Sequence, residues 1–167
     1  MHYFIYCTWL HDAELRRFMP EAKVVTTGYA ANRKLEFHAA GERTDRGWCH
    51  LSDRASVTAG VKTLGIIVEY DPKHFEEDYD DFDRICLTVY GDDGKVYDCW
   101  TYTLSRPGVA MRPPNFYWQH IPDGMRQWNF SQEYMNQVQA TYEAAAPCPR
   151  ADRPNPSAIP GRSAESR

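Results

Sequence analysis

The stretch Tyr3-Phe4-Ile5-Tyr6-Cys7-Thr8-Trp9-Leu10 carries the strongest fold information in the chain. Residues 3–7 form a short apolar and aromatic run that predicts a buried strand, and Asp12–Phe18 follows as a short helix ended by Met19-Pro20. A strand that runs directly into a helix start leaves backbone N–H groups facing outward, and these can bind a carboxylate or a carbonyl oxygen. On spacing alone, an ordinary strand-to-helix connection is the simpler interpretation.

Outward from this stretch, strand patterns predominate over helix patterns. Thr63–Tyr70 is dense in β-branched residues, and Arg84–Tyr90 and Lys95–Leu104 flank Gly91-Asp92-Asp93-Gly94 as a hairpin. The other predicted elements are strands at Lys34–His38 and Trp48–Leu51, an acidic helix at Lys73–Phe82, a proline loop at Arg106–Pro114 and a closing helix at Ser131–Ala145. The sequence therefore predicts an α+β fold, a small closed or nearly closed barrel with peripheral helices.

The composition argues against several function classes. The chain has 167 residues, 14% of them aromatic, and its 19 basic and 23 acidic residues give a net charge of −4. This charge argues against an electrostatic nucleic-acid binder, and no apolar run approaches the roughly eighteen residues of a membrane span. The N-terminal residues lack the basic and long apolar regions of a signal peptide, so we expect a cytoplasmic protein with no membrane partner.

A composition change at Pro147 divides the chain. Residues 147–167 hold five of the eleven prolines and almost no large apolar residues. Such a segment cannot bury enough surface to offset the entropy lost on ordering. We expect one folded domain at 1–146, followed by a disordered Pro/Arg/Ser-rich tail at 147–167.

The cysteines and histidines indicate neither a disulfide framework nor a sequence-local metal site. The five cysteines are odd in number, widely spaced and without a CxxC pair, and the six histidines show no HxH or HExxH spacing. We interpret the cysteines as thiols of a reducing compartment. Cys7 near a helix start is a candidate nucleophile, although a small buried residue that ends a strand is the more frequent role.

Several segments resemble the gamma-glutamylcyclotransferase-like family in the same order. Residues 3–10 resemble its opening Y-F-A-Y-G-S-N-L, and Leu64–Tyr70 resembles its G-V-x-Y-E-L strand. Further similarities lie at Arg16–Ala22, at Gly28-Tyr29 through Phe37, at Pro114–Tyr117 with Ile121 and Gly124, and at Ser131–Val138. The resemblance covers roughly residues 3–142. It implies a closed six-stranded barrel with a pocket beneath the first turn, where the family cyclises a gamma-glutamyl group to 5-oxoproline.

The resemblance also implies a site that works without a metal or an organic cofactor. The substrate's own amine attacks its side-chain amide carbonyl, while one carboxylate acts as base and then as acid. The substrate-binding residues carried over by position are Tyr6, Cys7, Thr8, Trp9, Leu10, Tyr102 and Tyr117. In this chain Cys7-Thr8-Trp9 replaces the G-S-N of the turn. The loss of Gly restricts backbone approach, and Trp9 replaces an amide with a bulky ring.

The catalytic carboxylate is the second departure from the family pattern. Its L-D-x-x-E-G motif fits best on Tyr79-Asp80-Asp81-Phe82-Asp83-Arg84, which makes Asp83 the predicted acid. Glu76 and Glu77 are alternatives if the helix register slips, and a solvated acidic helix face explains most of these carboxylates equally well. Arg84 beside Asp83 would favour the ionised carboxylate.

Three functions remain open from the sequence. The first is a cyclotransferase that acts on a gamma-glutamyl compound. The second is an enzyme of the same fold with a more apolar substrate, such as an intermediate of secondary metabolism that is cyclised, hydrolysed or eliminated. The third is a binding module without catalysis, since fold does not fix function. All three have a small-molecule partner and need no nucleic acid, and a homodimer is left open.

Overall fold

The computed structural model describes residues 1–52, 58, 60–71 and 80–151. The strands are β1 (His2–Ile5), β2 (Lys23–Ala31), β3 (Leu35–Ala40), β4 (Gly47–Leu51), β5 (Lys62–Glu69), β6 (Phe82–Gly91), β7 (Val96–Leu104) and β8 (Pro107–Ala110). The helices are a 3₁₀ turn (Thr8–Leu10), α1 (Asp12–Phe18), α2 (Asn115–Gln127) and α3 (Gln132–Ala144).

The strand β1 closes the barrel. The order is β1-β5-β2-β6-β7, and β1 pairs with β5 antiparallel and with β7 parallel, so that the two edges of the sheet meet. The predicted closed α+β barrel is confirmed, but five strands of the described chain form it rather than six. Phe4, Ile66, Ile67, Val68 and Val89 are fully buried, and since Ile66, Ile67 and Val68 are consecutive, both faces of β5 are covered at this point.

The strands outside the barrel form a second sheet in the order β4-β3-β8. The sequence predicted β3 and β4 as strands, whereas β8 lies in a segment predicted to be a loop. The segment after β8 packs closely on β4, since the Gly47 N–H donates to the carbonyl of Arg112 at 3.0 Å. A Cβ at Gly47 would overlap the Met111 carbonyl oxygen, so only glycine permits this approach.

The helices differ in how well local sequence predicts them. α1 spans Asp12–Phe18 as predicted, and α3 begins after Ser131, whose hydroxyl accepts the Tyr134 N–H at 3.3 Å as an N-cap. α2 was not predicted, because it starts after Pro114 without a side-chain cap and contains Pro122.

The acidic segment Lys73–Phe82 was predicted to be a helix, and its last three residues are not helical. The structure places Asp80 and Asp81 in a turn and Phe82 at the start of β6, so the prediction of helix is wrong at residues 80–82. Residues 73–79 of that prediction lie outside the described residues. The hairpin that follows is confirmed, with Phe82–Gly91 paired to Val96–Leu104 and Gly94 at a φ of +80° in the turn.

Contacts with the domain continue past residue 146, the predicted domain boundary. The Ala151 carbonyl accepts the Asn115 N–H at 3.0 Å, Cys148 is buried, and Arg150 lies 3.4 Å from Asp45. Residues 147–151 are therefore packed on the domain, and residues 152–167 of the predicted tail lie outside the described residues. Among the helices that the structure describes, none is long and apolar enough to span a membrane.

Candidate active site

A cavity of about 630 Å³ lies beneath the turn that follows β1. Much of its wall is aromatic, and its rings come from β1 and the turn after it, from α1, β4, β6 and β7, and from α2. Trp48, for example, meets Tyr117 and Phe82 edge-on at centroid distances of 5.8 and 5.7 Å. The charged and titratable residues in the wall are Glu14, Arg17, Arg46, Asp80, Asp81 and His120. Such a mainly apolar concavity with a few polar groups suits a small organic molecule.

Hydrogen bonds within the turn and contacts with α2 hold the turn in place. The N–H groups of Leu10 and His11 donate to the carbonyls of Cys7 and Thr8, which makes the 3₁₀ turn. Gly124 permits close packing there, because a Cβ would lie 2.5 Å from Leu10. Trp128 Nε1 donates to the Leu10 carbonyl at 2.8 Å. The turn is therefore a fixed part of the cavity wall.

The structure brings six of the seven predicted substrate-binding residues to this cavity. These are Tyr6, Cys7, Thr8, Trp9, Tyr102 and Tyr117. Leu10 is the exception: its side chain is fully buried in the core and does not line the cavity. In a 3₁₀ turn successive side chains point in different directions, so Leu10 faces inward while Thr8 and Trp9 face the cavity.

Cys7 and Cys49 form a disulfide in the cavity wall, which corrects the prediction of five free thiols. The turn after β1 brings Cys7 next to Cys49 of β4 across 42 residues of sequence, a proximity that spacing along the chain does not reveal. Cys86, Cys99 and Cys148 are free. As a disulfide, Cys7 holds no thiolate and cannot act as the nucleophile considered from sequence.

Two tyrosines fix the cavity wall around this disulfide. The Tyr117 hydroxyl lies 3.2 Å from Cys7 Sγ and accepts the Cys49 N–H at 3.4 Å. The Tyr6 hydroxyl donates to the Tyr102 carbonyl at 2.7 Å. Burial raises the pKa of both Tyr6 and Tyr117 above their ordinary value, so these hydroxyls stay protonated and act as hydrogen-bonding groups.

Asp83, the predicted catalytic acid, is not among the cavity residues. It is exposed in β6 opposite Thr103, between Phe82, which lines the cavity, and Arg84. Neighbouring side chains in a strand point to opposite faces, so the Asp83 carboxylate faces away from Phe82 and the cavity. Its position gives the catalytic assignment no support. The alternatives Glu76 and Glu77 lie outside the described residues.

Three described carboxylates do line the cavity. Asp81 is paired with Arg43 outside it, and Asp80 is exposed. Glu14 lies 3.9 Å from His120 Nε2, whose pKa is lowered, chiefly by burial. Neither Glu14 nor His120 stands out in the sequence, because the two come together only where α1 packs against α2.

Arg46 is a further cavity residue that the sequence did not indicate. It directly precedes β4, and its guanidinium carbon lies 3.6 Å from the centroid of the Trp48 ring. Two arginines of the predicted proline loop, Arg106 and Arg112, do not line this cavity; Arg112 donates to the carbonyls of Tyr142 and Glu143 instead. Within the described ranges, no group of three or more His, Cys, Asp or Glu side chains is arranged to hold a metal ion.

Comparisons with known proteins identify the fold. No protein-family model and no curated protein sequence matches the chain. A solved structure of a gamma-glutamyl cyclotransferase superposes with a TM-score of 0.76 at 16% identity and covers 94% of both chains. An uncharacterized protein from Homo sapiens gives 0.75 at 17% identity, covering 93% of this chain and 94% of its own. YkqA from Bacillus subtilis gives 0.68 at 16% identity, covering 88% of this chain and 55% of its own.

These superpositions extend over nearly the whole chain, whereas the sequence identities are low. They confirm the resemblance first seen at residues 3–10 as a likeness of fold, and they leave the reaction to the site itself. The chain has the gamma-glutamylcyclotransferase-like fold.

Proposed function

We propose that this protein is an enzyme that catalyses intramolecular acyl transfer on a small molecule carrying a gamma-glutamyl or related acyl group. The observation that carries the proposal is the cavity of about 630 Å³ beneath the first turn, with Tyr6, Thr8, Trp9, Tyr102 and Tyr117 in its wall. A preformed cavity that holds a folded substrate brings its amine and its amide carbonyl together and removes much of the entropic barrier.

The proposed reaction needs one carboxylate and no metal or organic cofactor. The substrate amine forms a new C–N bond to the side-chain carbonyl, and the original amide C–N bond breaks. The carboxylate takes a proton from the attacking amine and returns one to the leaving nitrogen. The candidates from sequence are Asp83, Glu77 and Glu76. Since Asp83 faces away from the cavity, Glu77 and Glu76 are tested first, with Glu14 as the cavity carboxylate nearest His120.

The second candidate function is an enzyme of the same fold with a more apolar substrate. The observation in its favour is the turn: Trp9 and the Cys7–Cys49 disulfide stand where the family pattern has a small flexible turn with an amide. A tryptophan offers one N–H donor and a disulfide offers none, so these residues provide fewer polar contacts for a glutathione-like molecule than a G-S-N turn does. A binding module without catalysis is the remaining alternative.

Cytoplasmic location and a homodimer stay predictions from the sequence.

A substrate panel tests the proposal. Purified protein is incubated with glutathione, with gamma-glutamyl amides of apolar amines, and with apolar amide or ester precursors of lactams and lactones. Mass spectrometry then detects 5-oxoproline or another cyclic product. Cyclisation of gamma-glutamyl compounds supports the first function, and cyclisation or cleavage of the apolar precursors alone supports the second. Binding without any product contradicts both enzyme proposals.

Carboxylate variants then assign the acid/base on the substrate that the panel identifies. Glu77→Gln, Glu76→Gln, Glu14→Gln and Asp83→Asn keep size and remove proton transfer, a loss typically worth about 10²–10⁴-fold in rate. Asp98→Asn, an exposed carboxylate of β7 outside the cavity, is the matched control. Retention of the parent rate by a folded Asp83→Asn protein would show that the sequence-based assignment of Asp83 is wrong.

A further inference from the structure

The Arg46 side chain lies in the cavity wall among aromatic rings. Its Cζ is 3.6 Å from the Trp48 ring centroid, 5.3 Å from that of Tyr117 and 5.7 Å from that of Phe116. A guanidinium at these distances is attracted to the ring faces, and it is less strongly hydrated than an ammonium group. The rings therefore hold a positive charge in an aromatic part of the cavity wall.

Arg46 has hydrogen-bonding capacity that the protein does not use. Its Nε and Nη2 atoms are shielded from solvent, and in the described chain neither has a hydrogen-bond acceptor. Burial lowers the pKa of the guanidinium below its ordinary value of 12.5, yet arginine stays protonated at neutral pH. Charged N–H donors that are buried without an acceptor are energetically unfavourable. A ligand that supplies an acceptor to Nε and Nη2 would therefore gain binding free energy from these hydrogen bonds.

The other arginines near the cavity have ion-pair partners. Arg17 lies 3.8 Å from Glu14, and Arg43 is paired with Asp81. The carboxylate adjacent to Arg46 in sequence, Asp45, lies 3.4 Å from Arg150 instead. No described carboxylate forms an ion pair with Arg46, which leaves the site with one uncompensated cation on an aromatic wall.

The backbone fixes the position of this cation. Gly47, the next residue, starts β4 and packs directly on the Met111 carbonyl, and its N–H donates to Arg112. Arg46 directly precedes β4, Trp48 is the second residue of that strand, and the Arg46 guanidinium lies against the Trp48 ring. The backbone that carries the pair is therefore held in place by close packing.

We propose that Arg46 and Trp48 form a subsite that binds a carboxylate group of the substrate, with an adjacent aromatic or apolar group packed on the cavity rings. Nε and Nη2 lie on one edge of the guanidinium, which matches the two oxygens of a carboxylate after a rotation of the side chain towards the cavity. The proposal rests on the proposed function, in that it takes the substrate to occupy this cavity. The substrate class it names is an aryl- or alkyl-bearing carboxylic acid.

A pair of probes that differ only in charge tests the subsite. Isothermal titration calorimetry compares 4-phenylbutyrate with its uncharged isostere 4-phenylbutyramide, on the full chain. We expect the carboxylate to bind about 10- to 100-fold more tightly than the amide, the range for a charge-assisted bidentate pair. Arg46→Gln should bring this ratio close to one, and Arg46→Lys should retain part of it as a point charge.

Two further variants separate a specific subsite from general effects. Arg84→Gln is the matched control, because Arg84 also stacks on a tryptophan, at 5.0 Å from Trp100, but lies outside the cavity. Its carboxylate-to-amide ratio should equal that of the parent. Trp48→Ala should weaken both probes together and leave the ratio above one. Thermal melts identify any variant that fails to fold. If Arg46→Gln fails to fold, Arg46→Lys still tests the proposal.

The outcomes separate this proposal from the proposed function. An absence of carboxylate binding, equal binding of both probes, or a ratio that Arg46→Gln leaves unchanged would overturn the subsite. If that happens while the protein still forms 5-oxoproline, the proposed function stands without the subsite. An Arg46-dependent ratio in a protein that cyclises nothing would establish the subsite and contradict the proposed function.

Discussion

The Cys7–Cys49 disulfide predicts a large loss of stability on reduction. The bond joins residues 42 apart in sequence. In the chain-entropy model, closing a loop of this length lowers the entropy of the unfolded state enough to stabilise the fold by about 4 kcal/mol at 25 °C. That is a large part of the roughly 5–15 kcal/mol by which a domain is normally stable.

The measurement is a pair of thermal melts, without and with a phosphine reductant. For a chain of this size each kcal/mol shifts the Tm by roughly 2–4 °C, so we expect reduction to lower it by roughly 8–16 °C. A Cys7→Ala/Cys49→Ala double variant should have a Tm near that of the reduced parent, and the reductant should not change that Tm. Cys86→Ser, which removes an exposed free thiol, is the control and should respond to the reductant as the parent does.

Thiol titration of the unfolded chain provides the decisive count. Three thiols should react before reduction, from Cys86, Cys99 and Cys148, and all five after it. Five reactive thiols in freshly purified, unreduced protein, or a Tm that reduction leaves unchanged, would refute the reasoning. The cavity would then have two thiols in its wall instead of a covalent link.

Three further predictions concern the scaffold and its titration. Ser131→Ala removes the N-cap of α3 and should cost about 1 kcal/mol of unfolding free energy, seen as a lower urea midpoint without a change in slope. Gly47→Ala forces a Cβ against the Met111 carbonyl and should cost about 3 kcal/mol, the upper end for overpacking; an unchanged midpoint would mean that the two backbones are not in contact. The lowered pKa of His120 means that the unfolded chain takes up its proton first, so stability should fall as the pH drops below about 6.5. Urea denaturation at pH 5–7 measures this loss, and the free energy of unfolding of His120→Gln should fall less steeply with decreasing pH than that of the parent. An equally steep fall in the variant would contradict this account.

Local sequence patterns predicted the strands that have alternating or β-branched residues and the helix that has a clear N-cap residue. β5 and the β6–β7 hairpin have alternating or β-branched runs with turn residues between them, and α3 has a serine cap. β2 and α2 escaped prediction for opposite reasons. β2 mixes small and polar residues on a strand that is only partly buried, and α2 contains a proline that normally ends a helix.

The site was predictable where it follows one continuous motif and not where it depends on chain reversals. Cys7, Thr8 and Trp9 belong to the turn that the family resemblance marks, and all three line the cavity. Cys49 and Arg46 reach the cavity only because β4 packs beside the barrel. The spacing of residues along the chain does not predict this packing. Asp83 shows the reverse case: the motif marks it as the acid, whereas in the structure it is adjacent to the cavity residue Phe82 in β6 and its side chain faces the other way.

The parallel pairing of β1 with β7 has a consequence for how the chain reaches its native state. β1 contacts its neighbours through pairs such as residues 2 and 69 and residues 3 and 100. On a ribosome, β1 must therefore wait until β7 has emerged before both of its sides are paired. Contacts so distant in sequence slow folding, and an unpaired apolar strand is prone to associate with other chains in the meantime. Expression yield should accordingly depend on chaperone supply and on temperature during synthesis more than the modest size of the domain would imply.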